Sequence, residues 1–185
     1  MTARLKTKRK TGRLPHTAAR ISKFEQDFGL KLPPRYKTFL REVGASDVSL
    51  QCAVLEPTPF GQTVPFREFF GFMKDENSSV DLRSNTEFAD AAPVAFPIAS
   101  DDFGNWIYLM CAGPFAGAVF FHDHEGRASW PVREFRRRFP NLHPGIQKYL
   151  ELRRAKKLPK KHPALTDFYR LADSFAAFLK ACKPA

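Results

Sequence analysis

Residues 97–125 constrain the fold more than any other part of the chain, because two short apolar runs there flank a turn-forming loop. The runs cover residues 106–111 and 118–121, and the loop between them contains two glycines and a proline. Both runs are rich in aromatic and β-branched residues and too short for helices, so they predict the two strands of a hairpin. The first run has no polar position, and such a strand must be covered on both faces. We therefore expect the hairpin to lie in the middle of a sheet.

Two amphipathic helices are predicted before this hairpin. Residues 17–28 place Ile21, Phe24 and Phe28 on one helical face, and residues 34–43 show a similar spacing of apolar side chains. The two prolines between these segments cannot continue a helix, although the second is suited to the first turn of the next one. The sequence therefore predicts a helix, a proline elbow and a second helix that ends at a glycine.

The rest of the chain has a weaker pattern, and its elements are assigned from short apolar runs and from the turn residues that bound them. They are a strand over residues 48–55, a strand or a short helix over 64–73, a loop over 75–85, a short helix over 87–92, an amphipathic helix within 145–158, a strand over 168–172 and a terminal helix that Ser174 caps.

The composition and the cysteines limit the classes of protein to which the chain can belong. With 185 residues, 19 of them Phe, it has enough apolar side chains for one domain with a sizeable core. Cys52, Cys111 and Cys182 show no short metal-ligand spacing, and an odd number of cysteines is typical of reduced thiols in the cytoplasm. Residues 1–20 contain no apolar signal-peptide core, and no apolar stretch approaches the ~18 residues of a membrane span.

The net charge of +11 is confined to two segments. Residues 1–13 carry +6 and residues 133–161 carry +9, so the rest of the chain carries −4. The first segment has almost no apolar content, which predicts a disordered basic arm over residues 1–16. The two segments either bind phosphates or carboxylates of a partner, or are solvated surfaces that keep the protein soluble. The sequence leaves both interpretations open.

The residues most typical of an enzyme follow the hairpin. His122 and His124 lie two positions apart on a strand, so both imidazoles could reach one metal ion, and Asp123 and Glu125 lie beside them. No residue at a recognisable spacing supplies a third and a fourth ligand. A strand end that runs into a polar turn is therefore the competing interpretation of this segment.

Other features of catalysis are weak. Asp101 and Asp102 could act as a carboxylate pair, although adjacent carboxylates before Phe-Gly-Asn are more typical of a solvated turn. The chain has no nucleophile elbow, phosphate loop or dinucleotide fingerprint. Cys111 lies in an apolar run and is expected in the core rather than as a nucleophile. We therefore expect no catalytic residue, no metal and no cofactor.

Four blocks of sequence run through the chain from residue 21 to residue 179. The first is Ile-x-x-Phe-Glu-x-x-Phe-Gly-Leu-x-Leu-Pro-x-x-Tyr-x-x-Phe-Leu-x-x-x-Gly, from Ile21 to Gly44. The others are residues 97–105, 119–125 and 171–179. In content and order these blocks resemble the SUKH superfamily, also described as Smi/Knr cell-wall-regulator-like proteins. The chain departs from that pattern in a long and strongly basic segment between the third and fourth blocks.

The resemblance implies an α/β (α+β) fold with one domain over residues 17–185, in which helices flank a central, mostly antiparallel or mixed sheet. A basic helical insertion would occupy about residues 126–165. Bacterial members of the superfamily are implied to be immunity proteins that bind a cognate polymorphic toxin, often a nuclease, and the eukaryotic members act as regulatory interaction proteins. We therefore expect a non-catalytic cytoplasmic protein that covers the active site of a toxin domain.

The residues expected to contact the toxin are polar residues at the end of the hairpin and arginines of the insertion. They are Asp101, Asp102, Asn105, His122, Asp123, His124, Glu125, Arg136, Arg137, Arg153 and Arg154. Two alternatives stay open. One is nucleic-acid binding or a regulatory interaction through the basic arm and the insertion, and the other is a metal-dependent hydrolase built on His122 and His124.

Overall fold

The computed structural model describes residues 7–74, 95–161 and 165–185 of the chain. Its strands are β1 (Lys8–Arg9), β2 (Ser46–Ala53), β3 (Thr63–Phe69), β4 (Ala95–Ser100), β5 (Trp106–Met110), β6 (Val119–His122), β7 (Phe168–Ala172) and β8 (Lys183–Pro184). Its helices are α1 (Ala18–Asp27), α2 (Pro34–Glu42), α3 (Val132–Arg138), α4 (Pro144–Arg154) and α5 (Phe175–Ala181). Strands β1 to β7 pair antiparallel in chain order, and β8 pairs with β2. The α+β class with one antiparallel sheet is as predicted.

The ends of the helices follow from local sequence. Helix α1 begins after Thr17, whose hydroxyl accepts a hydrogen bond from the amide of Arg20 at 3.2 Å, and Gly29 beyond its end has a φ of +60°. Helix α2 starts at Pro34, where a missing amide hydrogen costs nothing. Helix α5 follows Ser174, whose hydroxyl accepts from the amide three positions further on at 3.1 Å. These three helices are as predicted.

Aromatic side chains fill the space between these helices and one face of the sheet. Tyr36 of α2 lies edge-on to Phe175 of α5 with ring centroids 4.8 Å apart. Phe39 of α2 lies edge-on to Phe69 of β3, also at 4.8 Å. Edge-to-face pairs of this kind stabilise a core by about 0.5–1.5 kcal/mol beyond the burial of their area. The aromatic pairs therefore fix how α2 and α5 sit on the sheet.

The hairpin of β5 and β6 lies inside the sheet and is buried on both faces. Ile107 and Val119 belong to the large core under the helices, whereas Tyr108 and Phe120 belong to a second apolar cluster on the opposite face. Strand β5 pairs with β4 and β6, and β6 pairs with β5 and β7. The interior position predicted from the apolar run is confirmed.

The sheet curls, so the residues that follow β2 reach β7, the strand at the other edge of the sheet. The amide of Leu55 donates to the carbonyl of Arg170 on β7 at 2.9 Å. The amide of Arg170 in turn donates to Oε1 of Glu56 at 2.7 Å. At the other edge, β1 and β8 both pair with β2. Unpaired edges are templates for aggregation, and here short segments cover both.

Part of the predicted disordered arm is instead ordered against the sheet. Strand β1 pairs with β2, and Lys10 forms an ion pair with Glu68 of β3. His16 is only 6% exposed, and its Nε2 accepts a hydrogen bond from the amide of Phe72 at 2.9 Å. Backbone pairing and polar contacts hold this segment in place. The disorder predicted from its low apolar content is therefore wrong for these residues. Residues 1–6 lie outside the described residues, and for them the arm stays a prediction.

The basic insertion contains two helices, α3 and α4, where the sequence pattern predicted one amphipathic helix within residues 145–158. Residues 64–73 include β3, so the strand and not the short helix is the correct alternative. The loop and helix predicted over 75–85 and 87–92 lie outside the described residues. Among the residues that are described, no helix has the length and apolar character needed to cross a membrane.

Candidate partner-binding site

Two polar loops meet at one end of the sheet. The β4–β5 loop contains residues 101–105, and residues 123–125 follow β6. Trp106 at the start of β5 is opposite His122 at the end of β6, so antiparallel pairing brings the two loops side by side. Residues 101–105 and 123–125 together are called the rim below. Seven of the eleven residues predicted to bind a partner come from these loops or from His122 beside them.

Asp101 fixes the backbone of the first loop. Its Oδ1 accepts hydrogen bonds from the amides of Phe103 at 2.8 Å and Asn105 at 2.9 Å. Its Oδ2 accepts from Nδ2 of Asn105 at 2.7 Å, and its own amide donates to the carbonyl of Asn105 at 3.0 Å. An aspartate that bonds the amides following it replaces the backbone partners that a loop lacks. The loop therefore has one defined conformation.

Asn105 joins the two loops of the rim. It is only 3% exposed, and its Oδ1 accepts a hydrogen bond from the amide of His124 at 3.2 Å. The same oxygen lies 2.9 Å from Nδ1 of His124, so a proton on that nitrogen completes a second hydrogen bond. Gly104, with a φ of +84°, lies below the imidazole ring. Asn105 is thus a positioning residue that orients His124, and its burial keeps it away from a partner.

Phe103 is the most exposed large apolar side chain of the described residues, at 69%. It occupies the tip of the first loop beside Asp102, whose Oδ2 lies 3.0 Å from Nε of Arg67 on β3. A single exposed apolar residue is ordinary, but this one sits on a loop whose backbone is held by a side chain. Phe103 was not among the residues predicted to contact a partner, although the Asp-Asp-Phe-Gly-Asn pattern predicted a turn at this position.

Asp123 lies at the base of the second loop and is buried, at 1% exposure. Its Oδ1 lies 2.8 Å from Nη1 of Arg127, and its Oδ2 accepts from the amide of Arg127 at 3.0 Å. Burial raises the pKa of Asp123, and the positive charge of Arg127 opposes this shift. Arg127 also reaches Oε2 of Glu125 at 3.2 Å. Asp123 therefore holds the turn, while Glu125 remains at the surface.

His122 and His124 have different surroundings. The His122 ring is half-buried and packs on Phe168, with ring centroids 4.7 Å apart, and on Tyr108 at 6.0 Å. Burial lowers the pKa of His122, although Asp167 raises it. His124 lies instead beyond the strand end and contacts Asn105. Among the described residues, no group of three or more His, Cys, Asp or Glu side chains is arranged to hold a metal ion.

Trp130 connects the rim to the basic insertion. Its indole Nε1 donates to the carbonyl of Glu125 at 3.2 Å. The guanidinium of Arg138 on α3 stacks on its ring at 4.6 Å, and Nη1 of Arg153 on α4 donates to its carbonyl at 2.6 Å. The acidic rim and the basic helices are therefore neighbours on one surface.

The arginines predicted to bind a partner differ in their exposure and in whether another residue already pairs with them. Arg137 is exposed but paired with Glu134, whose pKa it lowers to about 2 together with Arg138. Arg153 is half-buried, and its guanidinium donates to the carbonyl of Trp130. Arg136 and Arg154 are exposed, and no described residue forms an ion pair with either of them. The structure thus leaves these two as the available cations of the predicted set.

A cavity of about 290 Å³ lies between α4 and β7. Its polar lining includes Tyr149, Tyr169, Arg153, Lys161 and Glu56. Nζ of Lys161 lies 3.0 Å from Oε2 of Glu56 and 3.7 Å from the ring centroid of Tyr169. Burial lowers the pKa of Lys161, and the charge of Glu56 opposes this. Lys161 and Glu56 thus pair with each other, whereas the buried hydroxyl of Tyr169 has no hydrogen-bond partner among the described residues.

The sequence model of the SMI1 / KNR4 family (SUKH-1) matches residues 15–141, which is more than half of the chain. No curated protein and no solved structure gives a match. The matched region contains α1, α2, the hairpin, both loops of the rim and α3. The chain therefore belongs to the SMI1 / KNR4 family (SUKH-1).

Proposed function

We propose that this protein is a non-catalytic immunity protein that binds a cognate toxin domain in the cytoplasm and covers its active site. The family is associated with toxin immunity, which supports this role. The observation that carries the proposal is the rim, where an exposed aromatic side chain sits on a loop that Asp101 holds in place. Such a loop suits recognition between folded surfaces.

Phe103 has the properties of an interface anchor. Aromatic residues that enter a pocket at the centre of an interface carry much of the binding energy. Binding also costs free energy for every group that must be ordered, and a loop already held by hydrogen bonds avoids most of that cost. Phe103 therefore offers a large apolar area at a small entropic cost.

The charges around Phe103 indicate the kind of surface that would receive it. Asp102, His124 and Glu125 are exposed in the same two loops, and each of the two carboxylates is paired with one arginine, Arg67 or Arg127. Complementary charge accelerates association and sets orientation. The active site of a nuclease binds phosphates and is rich in cationic groups, so an acidic rim with an apolar tip fits such a toxin. Arg136 and Arg154 on the neighbouring helices would contact acidic residues of the same partner.

The test needs the cognate toxin domain, which the proposal places in a reading frame beside the gene for this protein. We expect equimolar wild-type protein to inhibit the toxin's activity, and Phe103→Ala to weaken binding about 30-fold or more, since hot-spot residues contribute 2 kcal/mol or more. Isothermal titration calorimetry measures the affinity. Val132→Ala is the matched control, because Val132 is another exposed apolar residue on the nearby helix α3. Its affinity should equal that of the wild type.

Two results would contradict the proposal at different levels. If wild-type protein neither binds nor inhibits the toxin, the immunity function is wrong. If it inhibits but Phe103→Ala and Val132→Ala bind equally well, the function stands and the rim is not the interface. In the second case, Arg154→Ala and Arg136→Ala should locate the interface on the insertion.

Nucleic-acid binding is a second candidate, supported by exposed cations at the end of α4. Arg154, Lys156 and Lys157 follow one another closely there, and no described residue forms an ion pair with any of them. Cations that bind phosphates release counterions, so binding would weaken steeply with added salt. An electrophoretic shift of random DNA or RNA at low salt, lost in a Lys156→Ala/Lys157→Ala variant, would favour this function. Absence of any shift at low salt would exclude it.

A further inference from the structure

Two cysteines that lie 130 positions apart in sequence face each other in the sheet. Strand β8 pairs with β2 so that Leu50 is opposite Pro184 and Gln51 is opposite Lys183. One further step along this register places Cys182 opposite Cys52. The backbone of Cys182 is extended, with φ −64° and ψ 134°, so the strand-like path continues to this residue. Cys52 and Cys182 therefore form a cross-strand pair next to the last paired residues.

This placement satisfies the geometry of a disulfide bond. Directly opposed residues of antiparallel strands have Cα atoms about 4.5–5.5 Å apart. A disulfide bond needs a Cα separation of about 4.4–6.8 Å, so the continued register is compatible with one. Both thiols are free in the structure, and the remaining cysteine, Cys111, lies at the end of β5 with its Sγ 3.8 Å from the carbonyl of Leu109.

We propose that Cys52 and Cys182 form an oxidation site, at which a low-molecular-weight disulfide such as oxidised glutathione produces an intramolecular disulfide bond. The register of β2 and β8, the extended backbone at Cys182 and the free thiols carry this inference. The site is independent of the rim and of any toxin.

The reaction proceeds by two thiol–disulfide exchanges. Cys182 is half-buried whereas Cys52 is only 1% exposed, so the Cys182 thiolate attacks first and forms a mixed disulfide with one glutathione. The second glutathione leaves as a thiolate and takes up the proton that Cys182 lost. The Cys52 thiolate then attacks Sγ of Cys182, and the bound glutathione leaves with a proton. Two protein thiols are thus oxidised, and one oxidised glutathione is reduced to two thiols.

The two thiols have different surroundings. The Sγ of Cys182 donates to the carbonyl of Phe178 at 3.1 Å, and contact with Cys52 together with burial raises the pKa of Cys182. The same contact lowers the pKa of Cys52, which favours the thiolate needed for the second exchange. Cys182 attacks first because of its exposure and not because of its acidity. The amide of Ala185 donates to the carbonyl of Ser49 at 3.1 Å, and Nε2 of Gln51 donates to the carbonyl of Pro184 at 3.1 Å. These contacts hold Cys182 beside Cys52. The disulfide would lock the segment from α5 to β8 onto strand β2.

The test oxidises the full chain with a glutathione redox buffer and counts thiols after denaturation. We expect the count to fall from three to one, with a peptide that links Cys52 to Cys182 in the mass spectrum after proteolysis. Because the cross-link removes freedom from the unfolded chain, Tm should rise by about 5–10 °C and return after dithiothreitol. A count that stays at three, a persistent glutathione adduct, or a disulfide that contains Cys111 would overturn the proposal.

Single substitutions provide the controls. Cys111→Ser should still lose two thiols, because Cys111 takes no part. Cys182→Ser should lose none by internal cross-linking and should show no rise in Tm under the same buffer. Cys182 is half-buried, so this variant tests the pair even if Cys52→Ala, at a fully buried position, fails to fold.

Discussion

At the scale of single residues, buried polar atoms show most directly where stability is gained or lost. The hydroxyl of Tyr36 is buried and has no hydrogen-bond partner among the residues that the structure describes. Its ring packs against those of Phe39, Phe96 and Phe175. Burial raises its pKa, because an ionised oxygen cannot be solvated there. An unsatisfied buried hydroxyl costs free energy that an apolar ring of the same shape would not.

We therefore expect Tyr36→Phe to raise the free energy of unfolding by about 1 kcal/mol. Urea denaturation followed by circular dichroism measures this change. Thr58→Val is the matched control, since the buried hydroxyl of Thr58 does donate to a carbonyl, that of Gly61. That variant should lose about 1–2 kcal/mol. A loss in both variants would show that the Tyr36 hydroxyl has a favourable partner.

The pKa of His122 predicts how stability depends on pH. Burial lowers this pKa in the folded state from its ordinary value of about 6.5. Between the lowered value and 6.5, the unfolded chain binds the proton more readily than the folded chain, so stability falls as the pH drops through this window. The slope contributed by one histidine is at most about 1.4 kcal/mol per pH unit.

The measurement is the free energy of unfolding at several pH values from 7.5 downwards. His122→Gln should show a shallower fall below pH 6.5 than the wild type. The slopes are compared rather than the absolute stabilities, because glutamine also alters the packing on Phe168. Equal slopes in the two proteins would contradict the prediction.

At the scale of elements, the basic insertion behaves as a small unit with its own core. Phe135 of α3 packs with Ile146 and Tyr149 of α4 in a cluster separate from the two clusters of the sheet. Phe135 is completely buried although its helix is mostly charged. The arginines of α3 and α4 therefore keep their positions only while this cluster is intact.

We expect Phe135→Ala to loosen the insertion while the sheet remains folded. The lost packing corresponds to about 3–5 kcal/mol, which acts mainly on α3 and α4. Limited trypsin digestion should cut within residues 133–157 much faster than in the wild type, and the near-ultraviolet spectrum of the main core should change little. Val132→Ala, on the exposed face of the same helix, should digest like the wild type. Global unfolding of Phe135→Ala would mean that the insertion is part of the main core.

At the scale of the whole molecule, both ends of the described chain are tied to the same strand. Strand β1 pairs with residues 46–47 of β2 and β8 with residues 50–51, so the two segments lie end to end along one edge. His16 then closes the fold from the N-terminal side, over Gly44 and Gly71. A side chain at Gly71 would lie 2.4 Å from the amide nitrogen of Ala45, so this approach requires glycine.

These contacts predict different effects for two truncations. A chain that begins at residue 7 keeps every described contact, whereas one that begins at Thr17 loses the β1 pairing, the Lys10–Glu68 ion pair and the His16 hydrogen bond. We expect the longer deletion to lower the free energy of unfolding by about 2–4 kcal/mol relative to the shorter one. Thermal and urea denaturation measure the difference. Equal stabilities would restore the prediction of a disordered arm through residue 16.

Features that depend on neighbouring residues could be predicted from the sequence. The spacing of Ile21 and Phe24, the cap at Ser174 and the all-apolar run of β5 are local, because helix periodicity, capping and strand burial are decided within a few positions. The family signature was recognisable for the same reason, since its blocks coincide with these elements and with the turns between them. The candidate rim followed from the turn residues at the ends of the hairpin.

The tertiary structure alone decided which polar residues of the rim face outwards and which thiols meet. Asn105 and Asp123 look as exposed in the sequence as Asp102, yet both are buried. Asn105 bonds His124 across the two loops, and the amide of Asp123 donates to the carbonyl of Asp167 beside β7. Only strand pairing brings these groups together. Phe103 lies in a segment predicted to be a turn, and the structure shows that its ring is exposed at the loop tip. Cys52 and Cys182 become neighbours through a register between distant strands. Long-range pairing depends on how the whole sheet closes, so a local pattern of side chains cannot predict it.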